Sequence, residues 1–367
     1  MRISLPVYPR HKTRAEVATL RWVRENTSIP VPKVFAFDDS NDNLIGFEWI
    51  LMEHMKGTNA DTRWRAMSME QKVALTERMT KFQAELSRFG RAESLFRGIG
   101  TLDLCDESNN VEDTKAAAPG FLVSPEFFIG DHVRYDISRG PFRSAHDWLS
   151  TVLKIILQHQ TAILKTSEDE DNIEDAENVS AVAQKLLALV PKVFPSTLEE
   201  PEATALYHHD LHLNNILVSE DGEITAVLDW ECVSAMPLWM SAKLPKFLEG
   251  PAREKEPQRD SYADTDPVAN EPAAAEGGGE LGGQEKNELY YIHRMEYEAT
   301  QLRKVYKAKL KQLWPEWPLD ENPAEMDLFE AISMCDGIWA GRVGRWADRM
   351  EKGETMRFDM EDDYTPS

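Results

Sequence analysis

Several residue patterns are missing from this 367-residue chain, and each absence removes a class of function. Cysteine occurs three times, at Cys105, Cys232 and Cys335, too widely spaced for a disulfide framework or a cysteine metal pair. Such usage fits a reducing compartment, and the cytoplasm is the expected location. No apolar run approaches the roughly 20 residues that span a bilayer, so no membrane role is expected. No secretory h-region follows Met1. Basic charge is also short: 41 Lys and Arg stand against 64 Asp and Glu, for a net charge of −23. A nucleic-acid partner needs a clustered basic face, so none is expected. What is present is an apolar content of 42%, enough for a sizeable core in a chain long enough for two lobes.

The densest chemistry lies between Tyr207 and Glu231. A polar cluster, His208, His209, Asp210, His212, Asn214 and Asn215, precedes the apolar run Ile216 to Val218. Glu220 to Glu223 reads as a hairpin turn in which Gly222 supplies positive φ. A second strand, Ile224 to Leu228, ends on Asp229. A hairpin brings its ends together, so Asp210, Asn215 and Asp229 are expected to converge. Two carboxylates and an amide oxygen form a hard donor set of the kind Mg²⁺ accepts beside phosphate oxygens and water. Two other readings stay open on the residues alone. His208, His209 and His212 offer a zinc site, hence a zinc hydrolase, and the cluster also reads as a purely structural turn.

These residues resemble the aminoglycoside phosphotransferase and choline kinase group of protein-kinase-like small-molecule kinases. The H-x-D-x-x-x-x-N loop is present as His208, Asp210 and Asn215, and the apolar strand ending in D-W as Val227 to Trp230. The likeness is greatest to a divergent fungal-type branch carrying the runs at Glu16 to Arg21, Ser28 to Pro32 and Leu228 to Trp239. It implies an α+β, two-lobed protein-kinase-like fold with a truncated β-rich N-lobe and a mainly helical C-lobe. It implies ATP and Mg²⁺ as cofactors and a hydroxyl-bearing small molecule as acceptor, cationic molecules among the candidates. In that reading Asp210 is the base, His208 braces the loop, and Asn215 and Asp229 hold the metal. His209 and His212 read as loop packing. Trp230, Trp239 and Glu231 read either as core or as the wall of a cationic acceptor site.

The N-terminal part gives the order strand, helix, strand, turn, strand, linker. Arg2 to Leu5 is a short strand, and Thr13 to Glu16 reads as a capping box opening a helix to about Asn26. Strands follow at Val34 to Phe37 and Phe47 to Met52. By the resemblance, Arg2 stands near the phosphate-binding lysine, Glu16 is the helix glutamate that pairs with it, and Glu53 to Met55 form the adenine hinge. The family's first two strands and glycine-containing phosphate loop have no counterpart before Arg2. This leaves a pseudokinase-like binding protein as an alternative to an enzyme.

Further on, Ser68 to Gln71 reads as a second capping box, starting a helix with Leu75, Met79, Phe82, Leu86 and Phe89 on one face. Ser144 caps another. Glu168 to Asn172 is expected as a solvated acidic loop, and Pro191 and Pro195 as the stop of the helix that follows. The expected division is an N-lobe and hinge over residues 1–56, a C-lobe with the hairpin over 57–250, and a disordered insertion over 251–286. C-terminal helices then cover 287–352, with Glu325 to Lys352 as one helix, and an acidic tail follows at 353–367.

Overall fold

The computed structural model describes residues 1–87, 96–104, 118–195, 199–241, 243–262, 288–315, 323–354 and 357–358. Phe89, Cys105 and most of the 251–286 insertion lie outside the described residues.

The N-terminal part is a three-stranded antiparallel sheet backed by one helix. Its strands are β1 (Arg2–Ile3), β2 (Val34–Asp38) and β3 (Trp49–Met52), ordered β1-β3-β2, with helix α1 (His11–Asn26) between β1 and β2. The register sets Arg2 opposite Ile50. The helix starts two residues before the expected capping box. Its first turn is satisfied by other groups: the Glu48 carboxylate accepts from Arg10 N–H at 2.5 Å, and the Tyr8 carbonyl accepts from Lys12 N–H at 3.2 Å. Thr13 lies inside the helix and donates its hydroxyl to Ser4. Glu16 is therefore free of any capping duty.

A second sheet carries the hairpin. Strands β4 (Thr58–Asn59), β9 (Ile216–Val218) and β10 (Ile224–Val227) are ordered β10-β9-β4. Gly57, at φ 135°, lets β4 approach: a Cβ there would lie 2.4 Å from Thr225 Oγ1. Gly222 takes φ 84° in the turn, as the sequence requires. A third sheet, ordered β5-β8-β11-β6-β7, joins β5 (Phe96–Arg97), β6 (Gly100–Asp103), β7 (Ala118–Pro119), β8 (Ala203–Tyr207) and β11 (Ser234–Pro237). Strand β8 thus leads directly into the polar loop, and β11 leads away from Asp229.

Helices make up the remainder: α2 (Ala60–Trp64), α3 (Met69–Leu86), α4 (Pro125–Phe128), α5 (Ala145–Thr166), α6 (Glu170–Val193), α7 (Leu238–Ser241), α8 (Glu288–Leu313), α9 (Pro323–Met334) and α10 (Ala340–Glu351). The Ser68 capping box and the Ser144 cap form as read. Three expectations are corrected. The acidic run at Glu168 to Asn172 caps a helix: Asp169 accepts from Asp171 N–H, and the acidic first turn complements the helix dipole. Pro191 sits within the last turn of α6, which continues to Val193. The last helix is two helices, because Gly337 is a poor helix former and the chain turns there. Trp339 precedes α10 and is 41% exposed, so it does not face the core.

Residues 251–262 are also corrected: they pack on α8. Arg253 N–H donates to Thr300, its guanidinium meets Glu296 at 2.8 Å, and the Tyr262 hydroxyl meets His293 at 2.7 Å. Two cores result. One is helical and joins α5, α6, α9 and α10. The other runs without a break from Val17, Leu20 and Ile50 through Phe82 and Ile216 to Trp230, Leu302 and Tyr306.

Candidate active site

The polar loop between β8 and β9 is held from behind by His208. Its ring is buried, its Nε2–H donates to the Leu228 carbonyl at 3.0 Å, and the Trp230 ring meets it edge-on at a centroid distance of 5.0 Å. Burial lowers its pKa to about 4, so the ring is neutral near pH 7. It ties the start of the loop to the end of β10. Asn215 closes the other side, its amide nitrogen donating to the Asp210 carbonyl at 2.9 Å and to Asp210 Oδ2 at 3.2 Å. His212 Nε2 lies 3.2 Å from Asp210 Oδ1. Asp210 is therefore gripped through both carboxylate oxygens. His212, read from sequence as packing, contacts the carboxylate directly; its place two residues after Asp210 was the available signal.

Asp229 has φ 60° and Cys232 φ 63°, a left-handed conformation rare outside glycine. The two turns alternate the side chains between them. Trp230 drops into the core, 2% exposed, with its indole N–H on the Val227 carbonyl. Asp229 and Glu231 face Arg2 and α1. Arg2 donates to Glu16 Oε1 at 2.6 Å, reaches Asp229 Oδ1 at 3.5 Å, and pairs with Glu231. Lys12, one turn before Glu16 on the same helix face, pairs with the same Glu231 oxygen at 2.9 Å. Burial pushes the Glu16 carboxyl up to about 7, against the opposing pull of Arg2. Partial burial, then the charges of Glu231 and Asp210, raise the Asp229 carboxyl above its usual range.

The structure thus brings together Arg2, Glu16, His208, Asp210, Asn215 and Asp229, six residues from four segments of the chain. Lys12 and Glu231 complete the cluster. Lys12 escaped the sequence reading, although its four-residue spacing from Glu16 marks it as a neighbour on one helix face. Glu231 does not line a cation site with the tryptophans: Trp230 and Trp239 are buried in the two cores, and its charge meets Arg2 and Lys12. Glu53 and Met55 lie just after β3, the strand whose Ile50 pairs with Arg2. The Glu53 N–H is bonded to the Lys33 carbonyl at 2.8 Å, and its carboxylate accepts from Lys33 N–H.

Among the described residues, no group of three His, Cys, Asp or Glu side chains is arranged to hold a metal ion. The zinc reading loses its ligand set, since His208 is committed to Leu228 and the core. A magnesium site is a different case, because two carboxylates and an amide suffice when phosphate and water supply the other donors. The Asn215 nitrogen is engaged by Asp210, which leaves its oxygen as the donor group. Asp210, Asp229 and Glu231 outnumber Arg2 and Lys12 by one formal charge, and Glu16 when ionised adds a second, a surplus suited to a divalent cation. The residues present fit Mg²⁺.

The model of the phosphotransferase enzyme family matches residues 1–240. The chain belongs to this family. Relatives include a subtelomeric hrmA-associated cluster protein of Aspergillus fumigatus, 27% identical over 67% of this chain and 55% of that protein. Another is clavilactone A biosynthesis cluster protein Y of Ampulloclitocybe clavipes, 26% identical over 65% of this chain and 53% of that protein. A third, altered inheritance of mitochondria protein 9, mitochondrial, of Kluyveromyces lactis, is 23% identical over 86% of this chain and 52% of that protein. The chain spans about half the length of the curated relatives it matches. Among solved structures, an aminoglycoside phosphotransferase with ADP and hygromycin B aligns at TM-score 0.38 and 16% identity, covering 93% of this chain and 84% of that one. As a phosphotransferase family member the chain has the expected α+β kinase-like architecture, β-rich at its N-terminal end and helical beyond. Among the described residues no helix is long and apolar enough to cross a membrane.

Proposed function

We propose that this phosphotransferase moves the γ-phosphoryl group of ATP to a hydroxyl of a small molecule. The observation that carries the reading is Arg2. One guanidinium meets Glu16 on α1 and Asp229 at the end of β10, joining residues 14 and 227 positions away. Such a bridge makes sense where a cation must be held over the phosphates beside a metal carboxylate.

In this reading Asp210 accepts the acceptor's hydroxyl proton. The freed oxygen attacks the γ-phosphorus, the bond to the β–γ bridging oxygen breaks, and ADP departs. His212 and Asn215 fix the orientation of Asp210, and His208, neutral and buried, fixes the loop. Asn215 and Asp229 would hold Mg²⁺, which when bound would neutralise charge on the phosphates. Arg2, set by Glu16, offers a planar fork to phosphate oxygens. Since the Glu53 N–H is used within the sheet, adenine would meet the Glu53 carbonyl and the Met55 backbone. The free, buried thiols of Cys232 and Cys335 fit a reducing compartment such as the cytoplasm.

The test is Mg²⁺-dependent conversion of ATP to ADP by the purified chain against a panel of hydroxyl-bearing small molecules. Asp210→Asn is expected to cut turnover by about 10²–10⁴-fold, the usual worth of a positioned base, with nucleotide binding retained. Turnover unchanged in that variant would overturn the assignment.

A further inference from the structure

Glu231 occupies a position with a chemistry of its own. One of its carboxylate oxygens lies against two cations from different elements, the Arg2 guanidinium of β1 and the Lys12 ammonium of α1. A point between two cations is an anion site, and here an internal carboxylate fills it. Arg2's other partners are of different kinds. Glu16 is fixed in the interior, its side chain 3% exposed, and Asp229 is at the long distance of 3.5 Å. Glu231 is 28% exposed and stands on the strained turn between Asp229 and Cys232. Of the three carboxylates around Arg2, it is the one at the rim in close contact.

We propose that Lys12 is a second phosphate-binding cation and that Glu231 is its placeholder, giving way when a phosphate oxygen enters between Lys12 and Arg2. The proposal rests on the phosphoryl-transfer reading above and deepens it. Without the ligand, two like charges on neighbouring elements would repel; Glu231 holds both in position. With the ligand, a phosphate oxygen meets an ammonium and a guanidinium already set apart at the spacing of a shared acceptor. The exchange replaces one anion by another, so the cations are not left unpaired at any stage. No bond forms or breaks, and only the ion pairs change partners. Lys12 and Glu16 then have complementary tasks on one face of α1: Glu16 anchors Arg2, while Lys12 faces the incoming anion.

The experiment is calorimetric titration of the purified chain and three variants, Lys12→Met, Lys12→Arg and Glu231→Gln, with Mg²⁺–AMP-PNP, inorganic tripolyphosphate and adenosine. Lys12→Met is expected to weaken AMP-PNP and tripolyphosphate about tenfold, the loss of one charge-assisted contact, and to leave adenosine unchanged. Lys12→Arg restores most of that affinity. Glu231→Gln is expected to tighten both phosphate ligands several-fold, because the internal competitor is gone. The inference is overturned if Lys12→Met binds tripolyphosphate as the wild type does, if it weakens adenosine equally, or if Glu231→Gln weakens the phosphate ligands. It is also overturned if the wild type binds no tripolyphosphate. Failure of AMP-PNP alone, with Lys12-dependent tripolyphosphate binding, would instead overturn the ATP reading and leave the anion site standing.

Discussion

Lys72 and Glu298 meet at 2.6 Å between α3 and α8, with side chains 2% and 9% exposed. Arg294 takes the other Glu298 oxygen at 3.0 Å, and the Trp64 ring lies 5.0 Å from the Lys72 ammonium. The Arg2 cluster uses the same residue types, but Arg2, Asp229 and Glu231 keep about a third of their side-chain surface in water. In the first network both Glu298 oxygens are met by cations of the protein, and the Lys72–Glu298 pair is shut away from solvent while Arg294 stays about half exposed. In the second, carboxylates are in excess and the rim is open. The same ion-pair chemistry therefore does two things. Where the pair is buried and both carboxylate oxygens are met, the charges fix how α8 sits on α3. Where they are unmatched and wet, they leave something for a ligand to complete.

The comparison breaks most visibly at its buried end. Glu298→Ala would leave the Lys72 ammonium in the core without its carboxylate, and an uncompensated buried charge costs about 3–5 kcal/mol. Urea unfolding should show that loss as a lowered midpoint; an unchanged midpoint would mean the pair is not shut away from water.

A second test uses pH and two groups of the site with opposite signs. His208, neutral and buried, keeps its folded pKa about 4, below the ordinary 6.5. Its contribution to stability is whole above pH 6.5 and is lost as pH falls toward 4. A depression of that size corresponds to about 3 kcal/mol. Glu16 runs the other way: with its carboxyl raised from 4.5 to about 7, stability falls as pH rises through that window. The two slopes oppose each other in the wild type. Glu16→Gln should make unfolding stability climb with pH, and His208→Gln should make it decline. Two variants that both track the wild-type profile would rule out this pair of assignments.

The smallest effect sharpens the contrast at its open end. Glu231→Gln should change unfolding stability by no more than about 1 kcal/mol, as expected of a partly exposed ion pair. A cost near that of Glu298→Ala would place Glu231 with the buried network.

Much of this arrangement was legible in the residues. The hairpin, its glycine turn and the convergence of Asp210, Asn215 and Asp229 follow from the apolar runs and the turn residues between them, because two short strands and a tight turn leave little freedom. The Arg2–Glu16 pair followed only from the family resemblance, since it joins two elements that no local rule connects. Lys12 and Glu231 were harder still. Glu231 reaches the site because Asp229 and Cys232 adopt positive φ, a conformation Asp visits more than most residues but Cys does not advertise. The start of α1 was misplaced because Glu48, distant in sequence, satisfies the Arg10 N–H that a local cap would otherwise serve. The apolar spacing on either side of Gly337 remains helical, so no sequence pattern marks the break there.

The core that runs from α1 through Ile50 to the hairpin and Tyr306 has a mechanical consequence. Val227 N–H on the Pro30 carbonyl adds a backbone tie across the same junction. Swinging the N-terminal sheet away from the hairpin would tear close-packed interior, so these parts are built to travel together. Exchange of a ligand at the Arg2 cluster then falls to its partly exposed side chains, which can rotate without disturbing what lies beneath them.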